Sequence, residues 1–294
     1  KAIGLQGIFW DITEQRLAEE KIRRVNSLLA QNRKELRARN LEMVDDLKMA
    51  REIQLAMLPQ QSPASLPQPD SPFKFTHRYV PTGSVGGDFF TISALSDTEV
   101  GVFICDVAGH GVRSALVTAM IRALVEELKL VATDPGQFLT KLNRDLHAIL
   151  RQTGMLTTGF YLVADAKTGV MRFANAGHPK PLLVHRGPGR AQALTSGSGK
   201  SQPALGLFEG ATYQSSEVKL APGDFVMLFT DGLYEVEDSK EELYSQPLLI
   251  ESVQRQAQLP AGELFDALLA EIRQFSAEKT FSDDVCLVGM EFQP

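Results

Sequence analysis

The sequence predicts an α+β fold: two antiparallel β-sheets packed face to face and flanked by helices (an αββα sandwich), with an N-terminal coiled-coil helix in front of them. Three observations lead to this prediction. The stretch from Asp11 to Met57 contains neither proline nor glycine, which favours one long helix. From residue 73 onward, short apolar runs follow one another closely, as they do in antiparallel sheets. Two pairs of helical segments, 112–131 with 135–151 and 246–257 with 261–276, interrupt these runs and supply the outer layers.

Composition divides the chain into four segments. Residues 1–13 open with an apolar run that reads as one strand ending at Trp10. Residues 14–58 form the predicted coiled-coil helix. Residues 59–72 (PQQSPASLPQPDSP) form a proline-rich linker, because proline stops a helix and stiffens an extended chain. Residues 73–294 contain the predicted sandwich.

The helical segment has a heptad pattern with a weak middle. When Ile22 is taken as position a, every a position up to Met57 is apolar, whereas the d positions include Asn32, Arg39 and Asp46. Apolar a and d positions form the seam of a coiled coil. We therefore predict a parallel homodimer through residues 14–58. The alternative is a single helix packed on its own domain.

The predicted strands are eight apolar runs joined by turns such as Lys167-Thr168-Gly169. Connections this short exclude parallel pairing, which requires long crossovers. Residues 186–203 are rich in glycine and serine and are predicted to be a mobile loop. The eight runs are 73–80, 88–95, 100–107, 159–166, 170–176, 180–185, 224–231 and 285–292.

Charge and composition exclude several classes of protein. The net charge is −6, and residues 1–58 carry 11 Lys or Arg against 9 Asp or Glu, so the remainder holds 19 against 27. An acidic domain repels a phosphate backbone, so no nucleic-acid partner is expected. No run approaches the roughly 20 apolar residues of a membrane span. The two cysteines lie in apolar runs and are expected to be free thiols in a reducing cytoplasm.

Four aspartates follow or begin apolar runs and stand beside glycine or a second aspartate. A carboxylate at the end of a buried strand is costly unless something neutralises it, and several converging carboxylates call for a cation. Ligation by oxygen alone indicates Mg²⁺ or Mn²⁺ rather than zinc. A lone aspartate after a strand is usually only a loop residue, so the inference depends on the whole set: Asp88, Asp106, Asp231 and Asp283, the last followed by Asp284.

Five motifs in order carry a resemblance to a known family. They are VGGDFF (85–90), DVAGHGVRSALVTAMIRAL (106–124), FANAGHPKPLL (173–183), LFTDGLYEVED (228–238) and SDDVCLV (282–288). Together they resemble the bacterial SpoIIE/RsbU-type branch of the type-two-C (PPM) serine/threonine phosphatases, over roughly residues 45–294. In addition, GIFWDITEQRLAEEKI (7–22) resembles the closing strand and exit of a PAS sensor domain, so residues 1–13 are expected to be its C-terminal remnant.

The resemblance implies a site with two Mn²⁺ or Mg²⁺ ions at one edge of the sandwich. By similarity, Asp88, Asp106 and the backbone carbonyl of Val107 hold one side of the metal pair. Asp231 and Asp283 hold the other side, and these four aspartates form the catalytic set. Asp284 stands where the wider superfamily has asparagine, so it is expected to lie behind the ligands.

The proton donor of the reaction stays open. Eukaryotic relatives place a histidine two residues after the first-strand aspartate, where this chain has Ala108, and His110 comes two residues later. His110 is therefore either an acid or an incidental residue. His178 is an acid, a phosphate contact or a structural histidine; the structural role is favoured because histidines near turns usually hydrogen-bond within the fold.

The resemblance further implies a cytoplasmic enzyme that removes phosphate from serine or threonine by attack of a metal-activated water. Its expected partner is a phosphorylated STAS-domain anti-sigma-factor antagonist, and a sensor is expected to regulate it through the coiled coil. The alternative from a different class is a catalytically silent signalling module of the same fold. The sequence leaves open the sensed signal, the identity of the target, and the choice between Mn²⁺ and Mg²⁺.

Overall fold

The computed structural model describes residues 11, 13–59, 71–109, 111–197 and 201–293. The chain divides into two compact units, residues 1–50 and 51–294. Three predictions fall outside the described residues: the PAS-like strand over residues 1–10, most of the proline-rich linker (60–70), and the role of His110.

One helix, α1 (Thr13–Met57), occupies the predicted coiled-coil segment. Asp11 caps its start, because Asp11 Oδ1 accepts hydrogen bonds from the Thr13 hydroxyl at 2.6 Å and from the Thr13 backbone N–H at 3.0 Å. These bonds lower the pKa of the Asp11 carboxyl. The helix itself is thus confirmed, and its pairing with a second copy stays a prediction. Among the described residues, no helix has the length and apolar character needed to cross a membrane.

The described part of the second unit contains ten strands in two five-stranded sheets. In chain order they are β1 (Phe73–Val80), β2 (Asp88–Ala94), β3 (Glu99–Val107), β4 (Thr157–Asp165), β5 (Val170–Ala176), β6 (Leu182–His185), β7 (Arg190–Ala193), β8 (Ser216–Lys219), β9 (Phe225–Phe229) and β10 (Val285–Phe292). The first sheet has the order β1-β10-β9-β6-β7, and the second has β2-β3-β4-β5-β8. Every neighbouring pair is antiparallel, which confirms the predicted fold class.

Two pairs of helices cover the outer faces of the sheets. Helices α2 (Val112–Glu127) and α3 (Pro135–Thr153), joined by a 3-10 turn (Leu128–Val131), pack on the second sheet. Helices α4 (Ser245–Arg255) and α5 (Ala261–Phe275) pack on the first sheet. The start and end of α3 follow its sequence: Asp134 caps the N-terminus by accepting from two backbone amides, and Gly154 ends the helix in the left-handed conformation at φ 69°.

Strand β9 shows why the core has two parts. Its five residues, FVMLF, are all buried, which suits a strand covered on both faces. Val226 and Leu228 belong to the core between the sheets. Phe225, Met227 and Phe229 point the other way and pack with the residues of α4 and α5. The period of two along a strand therefore assigns alternate side chains to the two cores.

The prediction of one mobile loop over residues 186–203 is wrong for its middle part. Residues 190–193 form β7, which pairs with β6 from Leu182↔Ala193 to His185↔Arg190. Only one face of this short edge strand meets the core, since Ala191 is buried while Arg190 and Gln192 are exposed. The edge strand β8 was missed for the same reason. Residues 198–200 lie outside the described part of the chain.

Candidate metal centre

Asp88 and Asp106 lie opposite each other on neighbouring strands. Asp88 begins β2, Asp106 is the penultimate residue of β3, and the antiparallel register pairs them directly. Directly paired residues point to the same face with Cβ atoms about 5 Å apart. The register is fixed by the apolar pairs that follow, such as Phe90↔Ile104, so burial of these strands brings the two carboxylates together. Asp88 is 2% exposed and Asp106 is half-buried.

Asp231 and Asp283 come from the first sheet. Asp231 opens a 3-10 turn after β9, and Asp283 lies two residues before β10 begins. The pairing of these strands continues past Phe229, since the Thr230 N–H donates to the Cys286 carbonyl at 3.1 Å. Gly232 lets the segment after Asp231 lie close to the backbone of Asp284, because a Cβ at this position would lie 2.1 Å from the Asp284 carbonyl oxygen. The two aspartates therefore lie beside each other at the same edge.

The carboxylates from both sheets influence one another's ionisation. Burial, and then the charges of Asp231 and Asp283, raise the pKa of Asp106 to about 7. Burial, and then the charge of Asp106, raise the pKa of Asp88, and burial with Asp283 raises that of Asp231. None of the ion pairs among the described residues includes any of these four aspartates. The structure thus brings the predicted aspartates into one electrostatic group.

A fifth carboxylate, Glu235, joins this group and was not singled out from the sequence. Burial, and then the charges of Asp231 and Asp283, raise its pKa, and it contributes to the raised pKa of Asp106. The backbone N–H of Glu235 donates to the Asp231 carbonyl at 2.9 Å, which places it one helical turn after that aspartate. The spacing of four residues within DGLYE was the available signal.

The Val107 carbonyl, a predicted ligand, lies against the glycine that precedes Asp88. A Cβ on Gly87 would lie 2.6 Å from the Val107 oxygen, so only glycine fits there. The Val107 N–H in turn donates to the Gly87 carbonyl at 3.2 Å. Each of the two segments that hold Asp88 and Asp106 therefore fixes the position of the other.

Asp284 holds the loop that leads into Asp88. Its Oδ1 accepts hydrogen bonds from the Thr82 N–H at 2.8 Å and the Thr82 hydroxyl at 3.1 Å, and its Oδ2 accepts one from the Gly87 N–H at 2.8 Å. The residue is 4% exposed. Asp284 therefore holds the 82–87 loop in place through three hydrogen bonds, and its position behind the ligands stays a prediction.

Thr230 contacts Asp88 directly and was also missed from the sequence. The Thr230 hydroxyl donates to Asp88 Oδ2 at 2.7 Å and accepts from the Cys286 N–H at 2.9 Å. This hydrogen bond lowers the pKa of Asp88 against burial and neighbouring charge, since a hydrogen bond to the ionised form favours that form. A threonine before a strand-end aspartate gives no warning of this contact in the sequence.

His178 makes several hydrogen bonds within the fold. Its backbone N–H donates to Asn175 Oδ1 at 2.8 Å, its carbonyl accepts from Asn175 Nδ2 at 2.9 Å, and its Nδ1 lies 2.8 Å from the Thr158 hydroxyl. Nε2 lies towards the Phe229 carbonyl but has no partner with hydrogen-bond geometry. Burial lowers the pKa of His178 to about 3, so the ring is neutral at physiological pH. Its role in the reaction stays a prediction.

The donor set fits divalent cations that prefer oxygen. It consists of carboxylates with one backbone carbonyl, and Mg²⁺ and Mn²⁺ favour such ligands. As arranged, no three His, Cys, Asp or Glu side chains of the described residues lie close enough together to hold one ion. Like charges repel, so closing these carboxylates on a shared centre requires positive charge to offset the repulsion. The assignment of individual residues as ligands therefore remains a prediction.

The fold and the placement of these carboxylates define the class of protein. The chain has the fold of the PP2C phosphatases: the structure of the SiaA-PP2C domain of Pseudomonas aeruginosa superposes with a TM-score of 0.73 at 25% identity, covering 86% of this chain and 98% of that one. The family described as Stage II sporulation protein E (SpoIIE) matches residues 96–293. The chain belongs to this family.

Curated relatives of the chain include two named phosphatases of Bacillus subtilis (strain 168). Phosphoserine phosphatase RsbP is 26% identical over 245 residues, which is 82% of this chain and 58% of RsbP. Phosphoserine phosphatase RsbU is 26% identical over 207 residues, which is 69% of this chain and 59% of RsbU. The chain thus spans less than two thirds of the length of these relatives. The family match begins after Asp88, so the place of Asp88 in the site depends on its register with Asp106.

Proposed function

We propose that this protein is a metal-dependent phosphoprotein phosphatase that hydrolyses phosphoserine or phosphothreonine. The observation that carries the proposal is the group of carboxylates from both sheets, in which burial and neighbouring carboxylates raise the pKa values of Asp88, Asp106 and Asp231. Such a group is unfavourable for folding alone, and perturbed carboxylates of this kind mark functional sites. Membership of the SpoIIE family and the names of the relatives support the reaction type.

Each residue of the site has a proposed part. Asp88, Asp106 and the Val107 carbonyl bind one side of a pair of Mn²⁺ or Mg²⁺ ions, and Asp231 and Asp283 bind the other. When bound, such ions supply a water of lowered pKa as nucleophile and offset charge on the phosphoryl oxygens. Thr230 favours the ionised form of Asp88 and fixes its rotamer, and Asp284 holds the 82–87 loop. Glu235 adds negative charge to the ion-binding edge.

The surface around the site favours a macromolecular substrate. Asp283, Ala108 and Gly109 are exposed, so the carboxylates lie at an open edge. Two cavities of about 230 and 370 Å³ in the described part of the chain are lined by none of these carboxylates, and His178 lines the smaller one. Small-molecule sites usually enclose most of their ligand, whereas a phosphoserine on a folded protein can reach an open edge. We propose a phosphorylated STAS-domain anti-sigma-factor antagonist as this partner, in the cytoplasm.

The exposed apolar residues of α1 support a homodimer through residues 14–58. Ile22, Leu29, Leu36 and Met43, all at heptad position a, are 60%, 51%, 61% and 58% exposed. A second copy of the helix would cover this stripe in a parallel coiled coil. We propose that a sensor, attached through the PAS-like residues 1–13, regulates the catalytic unit by changing this pairing.

The alternative is a silent binding module of the same fold. The geometry favours the enzyme, because all four predicted aspartates lie at one edge and the Thr230 hydroxyl donates a hydrogen bond that favours ionised Asp88. A binding module would gain nothing from several mutually repelling carboxylates.

Phosphate release from a phosphorylated STAS-domain protein tests the proposal. We expect release with Mn²⁺, none after chelation, and none from Asp231→Asn. The matched control is Asp97→Asn, an exposed aspartate in the turn at the far end of β2 and β3, which should act as the unsubstituted chain does. Faster release from a sugar phosphate than from the phosphoprotein would contradict the substrate class. Absence of release under every condition, including after removal of residues 1–50, would favour the silent module.

A further inference from the structure

The last two turns of α1 contact the backbone that leads into Asp88. Gln54 is 7% exposed and is the buried residue of this helix. Its amide bonds twice with one residue: Nε2 donates to the Gly86 carbonyl at 2.7 Å, and Oε1 accepts from the Gly86 N–H at 3.0 Å. The Gln54 amide thus satisfies both backbone groups of Gly86, as a neighbouring strand would.

The backbone at Gly86 is closely surrounded by other groups. A Cβ at Gly86 would lie 2.3 Å from Asp284 Oδ2 and 2.4 Å from the Tyr79 hydroxyl, so the backbone passes too close to these groups for any side chain. Gly86 is buried, and a buried backbone group without a partner is costly. Loss of the Gln54 amide would therefore let the 83–87 loop shift until water reaches Gly86.

The same amide reaches the chain that leaves Asp106. Gln54 Nε2 lies 3.4 Å from the Thr118 hydroxyl, and Thr118 is a buried residue of α2, the helix that follows the Asp106 loop. One turn earlier, Arg51 Nη1 donates to the Gly83 carbonyl at 3.4 Å. All these residues belong to the compact unit 51–294. One side chain of α1 thus contacts the segment before Asp88 and the helix after Asp106.

We propose that Gln54 is a positioning residue that holds the loop leading into Asp88 in place, and so sets the affinity of the site for divalent ions. The geometry gives it this role because only Gly87 separates the residue it clamps from Asp88, while Asp284 and Val107 hold the other side of the loop. The proposal rests on the proposed function, since it concerns the metal-binding state of the same site. A change in α1 would therefore affect the metal site through the last turns of this helix.

The test compares Gln54→Met with a matched variant in the full chain. Methionine keeps the length and volume of glutamine but neither hydrogen bond. The control is Gln256→Met, because Gln256 Nε2 also makes two hydrogen bonds, at 3.2 Å to Ser252 and 3.1 Å to Glu271, in the helices over the first sheet. Both variants lose comparable contacts, and only the first contacts the Asp88 loop.

Three measurements decide the outcome. Calorimetric titration with Mn²⁺ should show affinity about 10- to 100-fold weaker for Gln54→Met, as is typical when a group that orients metal ligands is lost, and unchanged for Gln256→Met. Hydrogen exchange should accelerate in residues 83–88 of Gln54→Met only. Phosphate release should fall at low Mn²⁺ and recover at high Mn²⁺, with KM for the phosphoprotein unchanged.

Unchanged Mn²⁺ affinity and unchanged exchange at 83–88 in a folded Gln54→Met would overturn the inference, as would an equal loss in Gln256→Met. If Gln54→Met does not fold, Gln54→Glu takes its place: it keeps the acceptor for the Gly86 N–H and removes the donor to the Gly86 carbonyl, with the same expected and opposing results. An unsubstituted chain that releases no phosphate would contradict the proposed function, while ion affinity and exchange would still judge Gln54.

Discussion

Replacing Thr230 with valine should destabilise the protein and weaken its hold on divalent ions. The Thr230 side chain is fully buried and its hydroxyl joins Asp88 to the Cys286 N–H. A hydrogen bond to an ionised group contributes about 1.5–3 kcal/mol, and an orphaned buried N–H costs about 1–3 kcal/mol. The added methyl returns about 0.8 kcal/mol of burial. The free energy of unfolding at pH 8 should therefore fall by about 2–5 kcal/mol.

Thr157→Val is the matched control for this prediction. Thr157 is equally buried, but its hydroxyl has no hydrogen-bond partner. A buried hydroxyl without a partner is unfavourable, so the same change of atoms should be neutral or should stabilise by up to about 1 kcal/mol. The two substitutions should therefore have different effects on the free energy of unfolding, because only the Thr230 hydroxyl has hydrogen-bond partners.

Urea unfolding at pH 8, with chelator and again with saturating Mn²⁺, measures both variants. Thr230→Val should lose stability in each condition, and Mn²⁺ should stabilise it less than it stabilises the unsubstituted chain, because Asp88 loses the hydrogen bond that favours its ionised form and fixes its rotamer. A loss below about 0.5 kcal/mol, the level of an ordinary surface change, would refute the reasoning. An equal loss in Thr157→Val would refute it as well.

Three further predictions concern pH, a glycine and the coiled coil. The folded-state pKa of Asp106, about 7, lies above its ordinary value. With chelator present, Asp106 therefore makes its full contribution to the free energy of unfolding below about pH 4. That contribution is lost as the pH rises through 7; thermal unfolding should show this decline, and Mn²⁺ should remove it. Gly206→Ala should cost about 1–3 kcal/mol by thermal unfolding, because Gly206 has φ 80° and a Cβ there would lie 2.4 Å from Leu150; Gly210→Ala, whose Cβ would meet nothing within 4 Å, should cost under about 0.5 kcal/mol. Replacing the polar d positions with leucine (Asn32→Leu, Arg39→Leu and Asp46→Leu) should tighten self-association by about tenfold or more per position, as measured by sedimentation. Unchanged association would count against the dimer.

Much of the fold was readable from the sequence because strong local signals agreed with the tertiary structure. The two buried sheets are built from apolar runs that end at glycine, aspartate or proline, and α1 fills a stretch without helix breakers. The prediction failed for β7 and β8, which are short edge strands with few apolar residues. Each of them is stabilised by pairing with a neighbouring strand, which is distant in sequence for β8 and close for β7. Local composition does not distinguish such segments from loops.

The candidate site divides in a similar way. The types and order of the aspartates determined which chemistry the chain can support, since only clustered oxygen ligands call for a divalent cation. Thr230 and Gln54 could not be identified from the sequence, because their roles depend on contacts made across the two sheets and at the end of α1. The sequence determined the strands, the turns and the charge that they carry. The tertiary structure alone decided which side chains hold the carboxylates in place, because register and packing bring together residues that are more than thirty positions apart, from Gln54 with Gly86 to Thr230 with Asp88.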